Sequence, residues 1–194
     1  SISEGVIAAS TITWPSYVRS DELTGTIAYA TANPTTFITY NDGNNDWYYT
    51  GSSTTDNTRW TTSNESKSIY DPCPVGWRVP DGDHYDGVWS KALEYQYETY
   101  HTYDRNQLGM NFSGIFGEDS NIWYPASGFR DSGGVGRLDC VGIYGSYGSA
   151  SPDDSDEKGT ATLFFTETGS INTSSFGHRS AGTPVRCVKI TSPS

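Results

Sequence analysis

Ten residues in the middle of the chain, DPCPVGWRVP (Asp71–Pro80), restrict the backbone more than any others. A residue that precedes proline is pushed out of the α region, and the glycine favours a turn, so this stretch must be extended and turning. The sequence on both sides agrees. From Ser1 to Thr39 the apolar residues fall in short β-type runs, GVIAAS, TITW, YVRS, GTIAYA and TTFITY, with Asn33-Pro34 as a turn between the last two. From Met110 the pattern resumes in NFSGIFG, NIWYPASGFRD, GRLDCVGIYGSY, TATLFFTETGSI and TPVRCVKI. TATLFFT alternates least and reads as a central strand buried on both faces. Helical spacing occurs over Val88–Tyr97, where Trp89, Leu93 and Tyr97 recur every fourth residue beside Val88 and Ala92, and Asp86 is placed to cap the start. No period of about 20–50 residues recurs, which excludes a repeat array.

A length of 194 residues suits one domain, 1–194, with one substantial core. The absence of an initiator Met at Ser1 reads as a cut within a longer, exported protein. With 12 basic against 23 acidic residues the chain carries −11, which argues against nucleic acid or an anionic membrane surface as partner. No apolar run is long enough for membrane insertion. Charged residues make up only 18%, with Gly, Ser, Thr, Asn and Tyr in their place, which suits an all-β or loop-rich extracellular domain better than a cytosolic helical one. Asn41–Asn64 is a polar region carrying Trp47, Tyr48, Tyr49 and Trp60, aromatics that pin a loop to a core or stack on a sugar.

Three cysteines, Cys73, Cys140 and Cys187, allow one disulfide and one thiol, and without CxxC spacing or matching histidines they make a poor zinc site. His84, His101 and His178 are scattered outside any catalytic motif, and no GxSxG, P-loop or GxGxxG follows a strand, so the sequence predicts no enzyme and no cofactor. The acids of DGDHYDG (Asp81–Gly87) and PDDSDE (Pro152–Glu157) admit calcium, but turn-forming Asp-Gly pairs and a solvated hairpin tip account for them better.

The segment GIYGSYGSASPDDSD (Gly142–Asp156) has the Tyr, Ser, Gly and Asp composition of antibody contact loops, where Tyr gives large contact area at low entropy cost. Together with KSIYDPCPVGWRVP, GVWSKAL, NFSG, IWYPASGFRD, GRLDCVGIYGSYGSAS, RSAGTPVRCVKI and NPTTFITYNDGNNDWYY, it resembles the C-terminal domain of Bacteroidetes fimbrillin-like adhesins. That domain is related to the Fibrobacter succinogenes major paralogous domain, and the similarity runs from about Gly25 to Ile190. The resemblance implies an α+β, C-type lectin-like fold, with a small twisted sheet, helices and long loops. It also implies a Cys73–Cys187 disulfide, closing a long loop and worth about 4 kcal/mol, with Cys140 free. Trp77, Trp89, Trp123 and Tyr124 become core residues. Where relatives read Tyr-Trp-Ser-Ser this chain has Tyr147-Gly148-Ser149-Ala150, and Cys140 replaces a polar residue. The small polar and Tyr choices fit a protein varied by a diversity-generating retroelement. The EPN, QPD and WND motifs of calcium-dependent sugar-binding lectins do not occur.

The resemblance thus implies a non-enzymatic adhesin domain of a bacterial cell-surface or pilus-tip protein. It would recognise a host or bacterial surface glycan or protein and join pilus subunits through the rest of the chain. The alternative is a structural pilus or surface subunit whose aromatic loops pack on neighbours. Ligand contact is expected from Asp139, Tyr144, Ser146, Tyr147, Ser149, Ser151, Asp153 and Asp154, with Asn172, Ser174, Ser175 and His178 in the segment after TATLFFTETGSI. GRLDCVGIYGSY and TATLFFTETGSI read as adjacent strands whose following loops emerge on related edges. Gly142, Gly145 and Gly148 would let Tyr144 and Tyr147 point outward, beside a depression at Gly148. An enzyme related to the formylglycine-generating fold is disfavoured because its catalytic cysteine pair is missing.

Overall fold

The structure, a computed structural model, describes residues 16–40, 45–51, 56, 59, 67–68, 70–82, 101–112, 122–133, 136–153 and 158–190. In chain order the elements are β1 (Tyr17–Arg19), α1 (Ile27–Ala32), β2 (Phe37–Thr39), β3 (Trp77–Arg78), β4 (Thr102–Asp104), β5 (Gly109–Asn111) and β6 (Trp123–Pro125). They continue with β7 (Phe129–Arg130), β8 (Leu138–Asp139), β9 (Tyr144–Pro152), β10 (Gly159–Thr166), β11 (Ile171–His178) and β12 (Val188–Lys189). Strand residues are 41% and helix residues 5% of what is described. This nearly all-β architecture corrects the α+β, C-type lectin-like expectation of a sheet braced by helices. The helix read over Val88–Tyr97 lies outside the described residues.

GTIAYA (Gly25–Ala30), read as a strand, supplies the N-cap and the first four residues of α1. Thr26 is extended and its hydroxyl accepts the Tyr29 N–H, while Asn33 returns both its backbone and side-chain N–H groups to the Tyr29 carbonyl. These caps at both ends, with Pro34 beyond, outweigh the β propensity of a six-residue alternating run. The helix connects β1 to β2, which pair in parallel from Tyr17↔Phe37 to Arg19↔Thr39.

The largest sheet has the order β11-β10-β9, all antiparallel. TATLFFT forms its central strand, as its apolar run indicates. The β10–β11 turn closes with Thr166 N–H to the Ser170 carbonyl, and Gly169 takes the φ of +86° that this turn needs. One face of the sheet packs on the three-stranded meander β4-β5-β6, so that Tyr147, Leu163, Phe165 and Ile171 meet Tyr103, Met110, Phe112 and Tyr124. Phe165 is fully buried, and the rings of Phe112 and Tyr124 stand edge-on to each other at 5.3 Å. Gly145 permits the sheet's closest approach, because a Cβ there would lie 2.1 Å from the Phe165 ring.

DPCPVGWRVP organises a second, smaller core of Cys73, Val79 and Ala150 with Val185 and Cys187. Asp71 is buried, and its carboxylate accepts the N–H of Cys73 at 2.8 Å and of Val79 at 2.9 Å, with the Lys67 ammonium 3.6 Å away. One side chain thus satisfies backbone groups that the prolines prevent from joining a ladder. Cys73 is bonded to Cys187, and β3 pairs with β12 beside the bridge. Cys140 is free and half-buried. Trp77 departs from the core role expected of it. It is 43% exposed on the two-residue strand β3, whereas Tyr124 is buried and Trp123 half-buried. Trp89 lies outside the described residues.

His101 is 2% exposed and packs near Phe112. Burial pulls its pKa below the ordinary 6.5, offset in part by a hydrogen bond with the Gly169 backbone. The unfolded chain therefore binds a proton more readily than the folded one. The stabilising contribution of neutral His101 is complete above the ordinary value and is lost as pH falls below 6.5 toward the lowered folded value. Urea midpoints should fall between pH 7 and 5.5, and less steeply in His101→Gln; equal slopes would show that His101 is not the group responsible.

Candidate functional site

The residues expected to form the ligand face are divided by the sheet. Tyr147 is 5% exposed, its hydroxyl donates to the Pro125 carbonyl at 2.7 Å, and its ring stands edge-on to Tyr124 at 4.8 Å. The register Tyr147↔Leu163 puts it on the core face, so it does not point outward as expected. Tyr144 is half-buried and packs edge-on against Phe164. Ser146 and Ser149 are buried, and Ser149 donates to the Ala161 carbonyl at 2.6 Å. The Ser151 hydroxyl accepts the Gly82 N–H, and Asp153 is buried. The depression expected at Gly148 is filled: its N–H donates to the Pro184 carbonyl, and a Cβ there would lie 2.8 Å from the Thr183 hydroxyl.

Asn172 is exposed and its side-chain oxygen accepts the Ser174 N–H; Ser174, Ser175 and His178 are half-buried. Asn172–His178, expected as a loop, instead forms most of β11, and β10 lies between it and β9, aligning Ser146, Phe164 and Asn172 across three strands. Asp139 is half-exposed, with one oxygen accepting the Cys140 N–H and the other 3.8 Å from Arg137. Cys140 takes a left-handed φ of +56°, and burial, followed by the Asp139 charge, raises its thiol pKa, so it is not an activated nucleophile. Of the calcium candidates, Asp81 is paired with Arg78 at 2.7 Å. Asp86 and residues 154–157, Asp154 included, lie outside the described residues. Among the described residues no group of three or more His, Cys, Asp or Glu side chains is placed to hold a metal.

A different constellation forms where β11, β2 and the β7–β8 loop meet. The His178 ring stacks on Tyr40 with centroids 4.9 Å apart and planes 6° from parallel. Phe176, 39% exposed, stands edge-on to His178 at 5.1 Å, its ring lying over Gly159, where a Cβ would come within 2.2 Å. Tyr40 directly follows β2. From β2 itself, Phe37 carries the guanidinium of Arg130, 4.3 Å above the ring centre. Arg130 Nε donates to the Gly136 carbonyl at 2.7 Å, and its backbone exchanges two hydrogen bonds with Gly182, whose Cα lies flat against the arginine stem. The Tyr40 hydroxyl reaches the same loop, 3.8 Å from the Cβ position of Gly133. Buried in this region, Arg130 Nη2 and the Ser180 hydroxyl have no hydrogen-bond partner among the described residues. Desolvation also lowers the pKa of Arg130, which stays charged.

Aromatic faces with a fixed cation and hydroxyl donors, mounted on strands, can hold a ring-shaped polar ligand by stacking and hydrogen bonding. Of this set the sequence reading had included only His178. Phe37, Tyr40, Arg130 and Phe176 come from three separate segments, and their one local signal is the aromatic content of TTFITY, which as a strand also serves packing. Comparison of the chain with family models, curated proteins and solved structures finds no match.

Proposed function

We propose that this chain is a non-enzymatic ligand-binding module, an adhesin domain of a bacterial cell-surface or pilus-tip protein that recognises a surface glycan or protein. The observation that carries this reading is the Tyr40–His178–Phe176 aromatic tier, with Arg130 stacked on Phe37 of β2, the strand that Tyr40 follows. Stacked rings that remain partly exposed offer contact area at little further entropy cost. The resemblance of several ordered motifs to fimbrillin-like adhesins supplies the cellular setting, and the disulfide is compatible with export. Glycan and protein arrays probed with the isolated chain test it. Saturable binding is expected, weakened at least about tenfold by Tyr40→Ala, the effect of about 1.4 kcal/mol of lost contact, measured at a temperature where the variant is folded.

A second reading, a structural pilus or surface subunit, draws on another part of the molecule. Val75 is 96% exposed at the tip of the DPCPVGW turn, with Trp77 at 43% and Tyr70 at 52% in the same segment. Apolar side chains this open are suited to contact with a neighbouring subunit. Absence of any array ligand, together with self-assembly of the full-length protein that Val75→Ser and Trp77→Ser abolish, would favour it over the first reading.

A further inference from the structure

We propose that the ligand of the Tyr40–His178 tier is an acidic sugar and that Arg130 binds its carboxylate. This inference rests on the ligand-binding reading. Acidic residues outnumber basic ones 23 to 12, so carboxylate partners are abundant in this chain. Arg59, Arg78, Arg105 and Arg137 each lie within 4 Å of one, from 2.7 Å for Arg78 to 3.8 Å for Arg137. Arg130, like Arg186, pairs with no carboxylate among the described residues; Arg186 has no buried nitrogen without a partner, whereas Arg130 is partly desolvated and has one. Its acceptor is a single carbonyl, that of Gly136, and its Nη2 has none. A desolvated cation without a counter-charge is costly, and an arriving carboxylate supplies the missing acceptor and neutralises the charge at once.

The arrangement is also pre-organised. The guanidinium lies over Phe37, the Nε bond to Gly136 fixes its plane, and Gly182 presses on its stem, so little rotamer freedom remains to be lost on binding. Nη2 is buried, so a ligand oxygen is met first by Nη1, which is not buried and has no hydrogen-bond partner among the described residues. The neighbouring stacked rings take the apolar face of a sugar. A carboxylate suits the site better than a phosphate, because a charge of about −1.5 to −2 would meet stronger repulsion from the adjacent Asp131 and the chain's overall −11.

The test uses the intact chain and immobilised oligosaccharides ending in sialic or uronic acid, their carboxyl-reduced neutral counterparts, and phosphorylated sugars of the same backbone. Acidic ligands should bind, and carboxyl reduction should weaken wild-type binding at least about tenfold, an arm that needs no variant. Arg130→Gln should weaken binding of the acidic ligands only, whereas Tyr40→Ala should weaken acidic and neutral ligands alike. Arg130→Lys should not restore the loss, because a compact ammonium lacks the planar fork that lies flat on Phe37 while Nε bonds Gly136 and the Nη donors face a carboxylate. Equal binding of acidic and neutral sugars, with Tyr40→Ala still deleterious, overturns the carboxylate and leaves the ligand-binding reading intact. Preference for the phosphorylated series overturns the carboxylate in favour of another oxyanion. If no glycan of any series binds, the acidic-sugar proposal fails, and protein arrays then decide the broader reading.

Discussion

Replacing both Cys73 and Cys187 by alanine should lower the free energy of unfolding by about 4 kcal/mol, since the bridge closes a loop of 114 residues and the loop-entropy estimate for about 100 residues is near 4.7. That is a large share of the roughly 5–15 kcal/mol available to a domain. The remaining attachments at this site are weaker. β3 and β12 pair over only two residues each, and the second core contains few side chains, so the 70–80 segment relies on the bridge and on Asp71 to stay docked. Urea unfolding in a Cys140→Ala background, which prevents disulfide exchange, measures the effect. Reductant added to the otherwise unaltered chain should reproduce it. A loss below about 1 kcal/mol would show that the Asp71 hydrogen bonds and the two-residue ladder suffice, since a charge-assisted bond of this kind is worth about 1.5–3 kcal/mol.

Several strands are legible because alternating residues and turn signals are local, though GVIAAS and TITW lie outside the described residues and β4 and most of β11 fall outside the runs read as strands. YVRS, TTFITY, GRLDCVGIYGSY and TATLFFTETGSI each contain strands of the structure, and the central position of β10 follows from its long apolar run. Six alternating residues such as GTIAYA fit either state, and the deciding groups, Thr26 and Asn33, act through caps at the two ends of the helix. The site was legible only in part. A Tyr-rich, Gly-rich segment has the same composition whether its rings face water or core, and the difference depends on strand register. With Tyr147 opposite Leu163, the pleat turns Tyr147 inward. The Tyr40–His178 stack joins positions far apart in the chain, a juxtaposition that no local pattern encodes. Arg130 illustrates the same limit, because its lack of a carboxylate partner is a property of its surroundings and not of GFRD.

Tyr147→Ala should cost about 3–5 kcal/mol, the range for removing a buried aromatic ring, and Tyr147→Phe about 1 kcal/mol for the hydrogen bond alone. The ring packs against Tyr124 at 4.8 Å and Phe165 at 6.3 Å within the larger core. In the phenylalanine variant the Pro125 carbonyl loses its donor, but Pro125 itself is exposed, and water can replace the hydroxyl. Tyr144→Ala supplies the contrast. Tyr144 is half-buried against Phe164 rather than within the aromatic core, so the same truncation there should cost less than half as much. Equilibrium unfolding of the three variants, each paired with ligand binding at a temperature where it is folded, separates the possible roles. If Tyr147→Ala left stability unchanged and abolished binding, the core assignment would fall and the contact surface would move back to β9. The expected pattern is the reverse: Tyr147 variants that bind normally while folded but unfold early, and Tyr40→Ala that stays folded but no longer binds. The sheet then serves as the scaffold for aromatic residues supplied by β2 and β11.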